Sequence, residues 1–218
     1  LLSNAPRPAK NVGDFLLKLN MKKNLIKNVF TSGEASLKSL QNEIYGKNFY
    51  HIGSKKDECL FKGFEKNKTK LIDADFILCT GLIESQENSL EYYKDLLKDK
   101  KNIKMICTNP DLVVFRGEKK EYCAGKVAEI FKELGGEVIY FGKPYPEVYN
   151  QSIDNKNKKI LSIGDNLNTD IKGANLLNFD SLIISNGIHK NEINEKGIEK
   201  TSKSYEAICN YIQSELKW

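Results

Sequence analysis

Ile160-Leu161-Ser162-Ile163-Gly164-Asp165-Asn166-Leu167-Asn168-Thr169-Asp170 is the stretch on which the fold turns. A short apolar run stops at a Gly-Asp pair, and a second carboxylate follows within the next turn of chain. Such a run between polar segments reads as a buried strand, so Asp165 is predicted at its carboxyl end and Asp170 one turn into the following helix. An α/β protein presents acids for a divalent cation in this way. Mg²⁺ takes oxygen donors in near-octahedral geometry and retains waters, so one direct carboxylate and one supporting carboxylate suit it. The alternative is that Asp165 only caps the helix. Leu167 and Thr169 occupy positions where a calcium-binding EF-hand loop carries Asp or Asn, which disfavours calcium.

Further short apolar runs lie upstream, at Phe49 to Ile52, Phe76 to Cys79, Ile103 to Cys107 and Val138 to Phe141, and one follows at Leu182 to Ile184. Val29-Phe30 reads as another strand end. Between most of them the apolar residues recur at helical spacing. Val12, Phe15, Leu16 and Leu19 predict an amphipathic helix over Asn11 to Lys22, packed on a sheet. Thr31-Ser32-Gly33-Glu34 has capping-box spacing, with Leu37, Leu40 and Ile44 continuing a helical face. Alternating strands and helices specify an α/β fold with a largely parallel sheet. In such sheets ligands gather beyond the carboxyl ends of the strands. Four polar segments fall there: Ser3-Asn4, Thr31-Ser32, Asn109-Pro110-Asp111 and Asp165 to Asp170.

Each has a plain alternative. Lys143, held between Gly142 and Pro144 after a strand, places a cation that could neutralise phosphate oxygens, or is a solvated loop lysine. Ser3 offers a hydroxyl, with the backbone N–H groups near Asn4 and Ala5 forming an anion-binding concavity, or belongs to an ordinary turn before Pro6 and Pro8. Asn109 and Asp111 face a substrate or make a proline turn.

Composition narrows the function classes. The 218 residues carry 34 basic and 29 acidic side chains, dispersed without the dense stripe of a nucleic-acid footprint. Lys66-Asn67-Lys68-Thr69-Lys70 and Lys156-Asn157-Lys158-Lys159 read as solvated turns. No apolar stretch approaches the roughly 20 residues of a membrane helix, and no signal sequence is evident. The five cysteines form no C-x-x-C pair, which argues against a zinc cluster or disulfide framework and for a reducing, cytoplasmic setting.

The order Ser3-Asn4, then Gly142-Lys143-Pro144-Tyr145-Pro146-Glu147, then Gly164-Asp165-Asn166 to Asp170 resembles motifs two, three and four of the haloacid dehalogenase (HAD) superfamily. The long interval between Ser3 and Lys143 resembles its class IIA, NagD-like branch of p-nitrophenylphosphatases and nucleotidases, where an α/β cap is inserted. Thr31-Ser32-Gly33 and Thr108-Asn109-Pro110-Asp111 are similar to blocks of the same branch. The resemblance implies a HAD-like Rossmannoid core at 1–32 and 141–218, with a cap at 33–140. It implies that Ser3 and Asn4 bind the transferring phosphoryl group, and that Lys143 holds phosphate and nucleophile charge. Asp165 would bind Mg²⁺ directly and Asp170 would support that site. Asn109 and Asp111 become cap contacts to a small phosphate ester, and a homodimer through the cap is an expectation of the branch.

One element of the resemblance is missing. Motif one, D-x-D-G, supplies the nucleophilic aspartate on a strand in the middle of the core sheet, and no such segment occurs in the sequence. Asp73-Ala74-Asp75 is followed by Phe76 and reads as the start of a strand. The expectation is therefore a C-terminal piece of a Mg²⁺-dependent phosphohydrolase that works through an aspartyl-phosphate, itself inactive, with two strands left lacking a neighbour. A catalytically silent phosphate- or nucleotide-binding module is the competing reading. A phosphorelay receiver fits poorly, because it needs no cap-sized insertion and its acid pair comes first.

Overall fold

The computed structural model describes residues 1–117, 119–153 and 158–217. The chain separates into two compact units, Leu1–Gly142 and Lys143–Trp218.

The first unit begins with β1 (Leu2–Ser3), α1 (Ala9–Lys18), β2 (Phe30–Thr31) and α2 (Ser32–Gln41), and β1 pairs with β2 in parallel. β3 (Phe49–Ile52), β4 (Phe76–Cys79), α3 (Leu90–Leu97) and β5 (Lys104–Cys107) follow. A hairpin of β6 (Val113–Arg116) and β7 (Lys119–Tyr122) then leads to α4 (Ala124–Glu133) and β8 (Val138–Tyr140). β3, β4, β5 and β8 form one parallel sheet in that order. Every residue of β4 is buried, because helices cover one face and an aromatic layer the other. Tyr93 and Leu97 of α3 and Val127, Ala128 and Phe131 of α4 pack with Ile52, Ile77, Cys79, Met105 and Cys107. Opposite them Phe49 lies edge-on to Phe61 and near Phe76, and Phe61 receives the His51 ring. Burial lowers the His51 imidazole to about 4, with Lys68 adding to the effect.

The second unit contains α5 (Pro146–Ser152), β9 (Leu161–Gly164), α6 (Lys172–Leu176), β10 (Asp180–Ile184), α7 (Lys190–Lys196), α8 (Ile198–Ser204) and β11 (Tyr211–Gln213). Its parallel sheet runs β11-β10-β9, and its small core joins Leu167, Ile171, Ile183 and Ala207. Among the described residues β1 has only β2 as a strand partner and β9 only β10. No helix among the described residues is long and apolar enough to cross a membrane.

Three expectations need correction. α1 runs Ala9–Lys18, not Asn11 to Lys22, because Asn20 adopts φ 63° and turns the chain. Its apolar face is only partly covered: Val12 and Leu16 are half-buried while Phe15 and Leu19 are exposed, since two two-residue strands offer little surface to pack on. α2 ends at Gln41 before Glu43 at φ 50°, which leaves Ile44 outside the helix and exposed. The Thr31 cap forms, with Thr31 Oγ1 accepting from Glu34 N at 3.0 Å, but the box stays half made. The Glu34 carboxylate accepts instead from Ala9 N at 3.2 Å.

The lysines of Lys66 to Lys70 are exposed as a solvated turn requires, while Asn67 turns inward to donate to Lys47 O. Of the second run, Lys158 and Lys159 are exposed and Lys156 and Asn157 lie outside the described residues. Asp75 starts β4 by accepting from Lys47 N and Asn48 N, at 2.9 and 2.8 Å.

Candidate functional site

In the first unit, four loop segments converge on Ser3 and Asn4. Ser3 ends β1, and its Oγ accepts from Ala5 N at 3.2 Å, a turn that spends a lone pair and leaves the hydroxyl proton for a ligand. It also uses the Ala5 N–H, which sequence reasoning had assigned to an anion. Asn4 is buried, and its Nδ2 donates to Asp111 Oδ1 at 3.1 Å.

Ser32, the first residue of α2, is wholly buried and can donate its hydroxyl to Ala5 O or Thr108 O. It ties the 3–7 segment to the loop after β5. In that loop Asn109 Oδ1 accepts from Asp111 N at 3.2 Å, so Asn109 shapes the proline turn while Asp111 reaches Asn4. A Cβ on Gly142, at φ 122°, would lie 2.7 Å from Pro110 Cδ and 2.8 Å from Asn4 Oδ1. Only glycine fits where these segments meet.

Ser3, Asn4, Asn109 and Asp111 edge a cleft of about 670 Å³, which also takes in Ser54, Thr80 and Gly81 from the carboxyl ends of β3 and β4. Arg7, on the same rim, pairs through Nε with Asp57 Oδ1 at 2.9 Å. Sequence reasoning missed Ser32 as a brace and Arg7 altogether. The available signal was Pro6-Arg7-Pro8, a cation with restricted backbone on both sides.

In the second unit, Lys143 follows Gly142 and precedes Pro144 through a cis peptide bond. Its Nζ donates to Asp170 Oδ1 at 2.6 Å, and both side chains are largely buried. Asp170 Oδ2 accepts from Asn166 N at 3.2 Å, so protein donors engage both carboxylate oxygens. Gly164 makes room: a Cβ there would lie 2.2 Å from Asp170 Cγ.

Asp165 does not cap the helical turn after β9. That role belongs to Asn166, whose Oδ1 accepts from Asn168 N at 2.9 Å. Asp165 Oδ2 accepts from Ile188 N at 3.0 Å across the loop after β10, where a Cβ on Gly187 would meet the carboxylate. One oxygen is thereby pinned and the other is left to a ligand. A carboxylate oxygen left open in this way is hard-oxygen chemistry of the kind Mg²⁺ takes, and Asp165 could supply it directly while Lys143 occupies Asp170. Among the described residues no group of three or more His, Cys, Asp and Glu side chains is arranged to hold a metal ion. Waters and other oxygen donors would have to complete the shell.

Comparison with known proteins gives a consistent picture. The sequence profile of the HAD-hydrolase-like family matches residues 140–212. A hydrolase of the haloacid dehalogenase-like family from Brucella suis 1330 is 31% identical, with a TM-score of 0.80 over 87% of this chain and 73% of its own. A p-nitrophenyl phosphatase from Archaeoglobus fulgidus is 15% identical, with a TM-score of 0.74 over 98% of this chain and 82% of its own. A 4-nitrophenylphosphatase from Thermotoga maritima is 20% identical, with a TM-score of 0.70 over 98% and 80%. No curated protein matches the chain.

Proposed function

The chain belongs to the haloacid dehalogenase-like hydrolase family, and on that premise we propose that it carries most of the active site of a Mg²⁺-dependent phosphohydrolase acting on small organic phosphate monoesters. The observation that carries this reading is the setting of Asp165, with one carboxylate oxygen pinned by Ile188 N–H beside the buried Lys143–Asp170 pair. A silent binder has no evident need for that arrangement.

In this proposal the Ser3 hydroxyl donates to a phosphoryl oxygen, and Asn4, fixed by Asp111, orients the turn that presents it. Lys143 neutralises charge on the phosphoryl group, and Asp170 aims the ammonium. Asp165 would hold Mg²⁺, which supplies charge stabilisation for the transferring group. The substrates are esters such as nucleotide monophosphates or sugar phosphates, cleaved through an aspartyl-phosphate. The β3-β4-β5-β8 sheet lies inside the proposed cap at 33–140, while β1, β2 and β9 to β11 fall in the proposed core. Cysteine usage supports a cytoplasmic setting, and dimerisation through the cap is part of the same proposal.

The sequence holds no D-x-D-G segment, so these 218 residues alone are expected not to turn over. Removing a nucleophile costs on the order of a millionfold in other hydrolases. The test is Mg²⁺-dependent release of phosphate from a panel of monoesters, by this sequence joined to an upstream strand bearing D-x-D-G. Turnover that disappears in Asp165→Asn supports the reading. No turnover with Asp165 intact would favour the binding module.

A further inference from the structure

Arg7 lies four residues beyond Ser3 and lines the same cleft. Its backbone is held unusually firmly. Thr31 Oγ1 donates to Arg7 O at 2.6 Å, and Gly33 N donates to Ala5 O at 3.1 Å. Gly33 approaches so closely that a Cβ there would stand 2.6 Å from Pro6 C and 2.7 Å from Arg7 N. The side chain is held as well. Asp57, 7% exposed, accepts Arg7 Nε on Oδ1 at 2.9 Å and the Ser54 hydroxyl on Oδ2 at 3.0 Å.

This pairing consumes only the Nε corner of the guanidinium. The two Nη groups make no hydrogen bond among the described residues, and about a third of the side chain remains open. An Nη1/Nη2 edge is a planar fork of donors matched to the two oxygens of a carboxylate or phosphate. Asp57 neutralises Arg7, but Lys56 beside it also lines the cleft and forms no ion pair among the described residues. The whole lining sets Arg7, Lys56 and Lys119 against Asp57, Glu87, Asp111 and Glu121, so attraction for an anion is local to the open guanidinium edge and Lys56 and does not come from the cleft's net charge. A guanidinium fixed at one edge and open at the other has already lost the side-chain freedom that binding would otherwise remove.

We infer that Arg7, braced by Asp57, is a specificity-determining residue for the leaving group, and that the substrate carries a second oxyanion, a carboxylate or a second phosphate, besides the phosphoryl group that is cleaved. This rests on the phosphohydrolase reading and narrows its substrate class. A neutral sugar or polyol would leave the open Nη1/Nη2 edge without a bidentate acceptor and Lys56 without an ion-pair partner, whereas a second oxyanion satisfies both.

The experiment is equilibrium binding to the 218-residue chain, followed by calorimetry, with three probes that share one skeleton. They are 3-phosphoglycerate, glycerol 1,3-bisphosphate and glycerol 3-phosphate, which bear at the far carbon a carboxylate, a phosphate and a neutral hydroxyl. At least one of the two doubly anionic probes is expected to bind about tenfold or more tighter than glycerol 3-phosphate. The tighter of the two identifies the oxyanion. Arg7→Lys, which keeps a charge for Asp57 but loses the fork, should remove most of that ratio. Asp57→Asn, which keeps the fork but loosens its anchor, should remove part of it. Equal affinity for all three probes, no measurable binding of the doubly anionic ones, or a ratio unchanged in Arg7→Lys would each overturn the inference. Failure of the wider reading is separable, because it shows as absence of turnover in the D-x-D-G-bearing protein whatever the binding ratio.

Discussion

The sheet between Phe49 and Tyr140 and the sheet between Leu161 and Gln213 are both parallel, yet they differ in how far each completes its own core. β4 is buried at all four residues and has a strand on either side. β9 contains no fully buried residue, exposes Leu161 and has β10 as its one strand partner among the described residues. β11 exposes Tyr211 and Ile212. The division of chemistry follows the same line. The first unit holds the hydroxyls, amides and backbone turns around Ser3, and the second holds the buried Lys143–Asp170 pair and Asp165. Packing dominates one region and charge the other, so different substitutions should break them.

The largest effect is expected in the packed region. Phe131 is fully buried between α4 and the β3-β4-β5-β8 sheet. Phe131→Ala should cost about 3–5 kcal/mol, read as a lower urea midpoint at unchanged slope. Ile183→Ala, in the four-residue core of the second unit, should cost about 2–4 kcal/mol, because fewer neighbours surround the cavity. Equal losses at the two sites would erase the contrast between the cores.

The packed sheet is also where the sequence was most legible. Phe49 to Ile52 and Phe76 to Cys79 are strands at the predicted residues, because a continuous apolar run of strand length leaves few other solutions. The hairpin of Lys119-Lys120-Glu121-Tyr122 with Val113 to Arg116 went unread, since three charged residues in succession hide any alternation. The C-terminal end of α1 differs from the expected one because Asn20 in the left-handed region looks like any other polar residue in sequence. The site follows the same rule. Asp165 and Lys143 could be read from strand ends, as local features. Arg7 was marked only by its flanking prolines, because its partner Asp57 is fifty positions away in sequence.

The charged region should fail by a different route. Asp170→Ala would remove the carboxylate paired with the largely buried Lys143 ammonium, at a cost of about 3–4 kcal/mol. Asp170→Asn keeps one acceptor, able to serve Lys143 Nζ or Asn166 N but not both, and should cost less. If chemical denaturation found the two substitutions equally mild, the pair would be a solvated contact and the contrast would weaken.

Acid should discriminate in the opposite sense, since the strongly shifted imidazole belongs to the packed region. His51 is lowered to about 4 when folded, first by burial and then by Lys68, and its ring shares a 2.8 Å hydrogen bond with Thr80 Oγ1. Above about pH 6.5 the ring is neutral in both states and contributes no pH dependence. Between about pH 6.5 and 4 the unfolded chain binds the proton and the folded one does not, so stability falls with pH by up to about 3 kcal/mol. His51→Gln, which can still reach Thr80, should flatten this part of the profile. An unchanged acid slope in that variant would assign the loss to other groups.

The smallest expected effect lies where the two kinds of control meet in one residue. Thr31 Oγ1 accepts from Glu34 N, capping α2, and donates to Arg7 O, fixing the rim of the cleft. Thr31→Ala removes both and should cost about 1–2 kcal/mol. Thr31→Ser retains both hydrogen bonds and should cost less than half of that by the same measure. The two variants separate cap from rim. If affinity for 3-phosphoglycerate falls in Thr31→Ala by more than its fraction unfolded explains, and recovers in Thr31→Ser, the hydroxyl is positioning Arg7. If affinity instead follows the folded population in both, Thr31 serves only its helix and the rim at Arg7 is held by Gly33, Ser32 and Asp57.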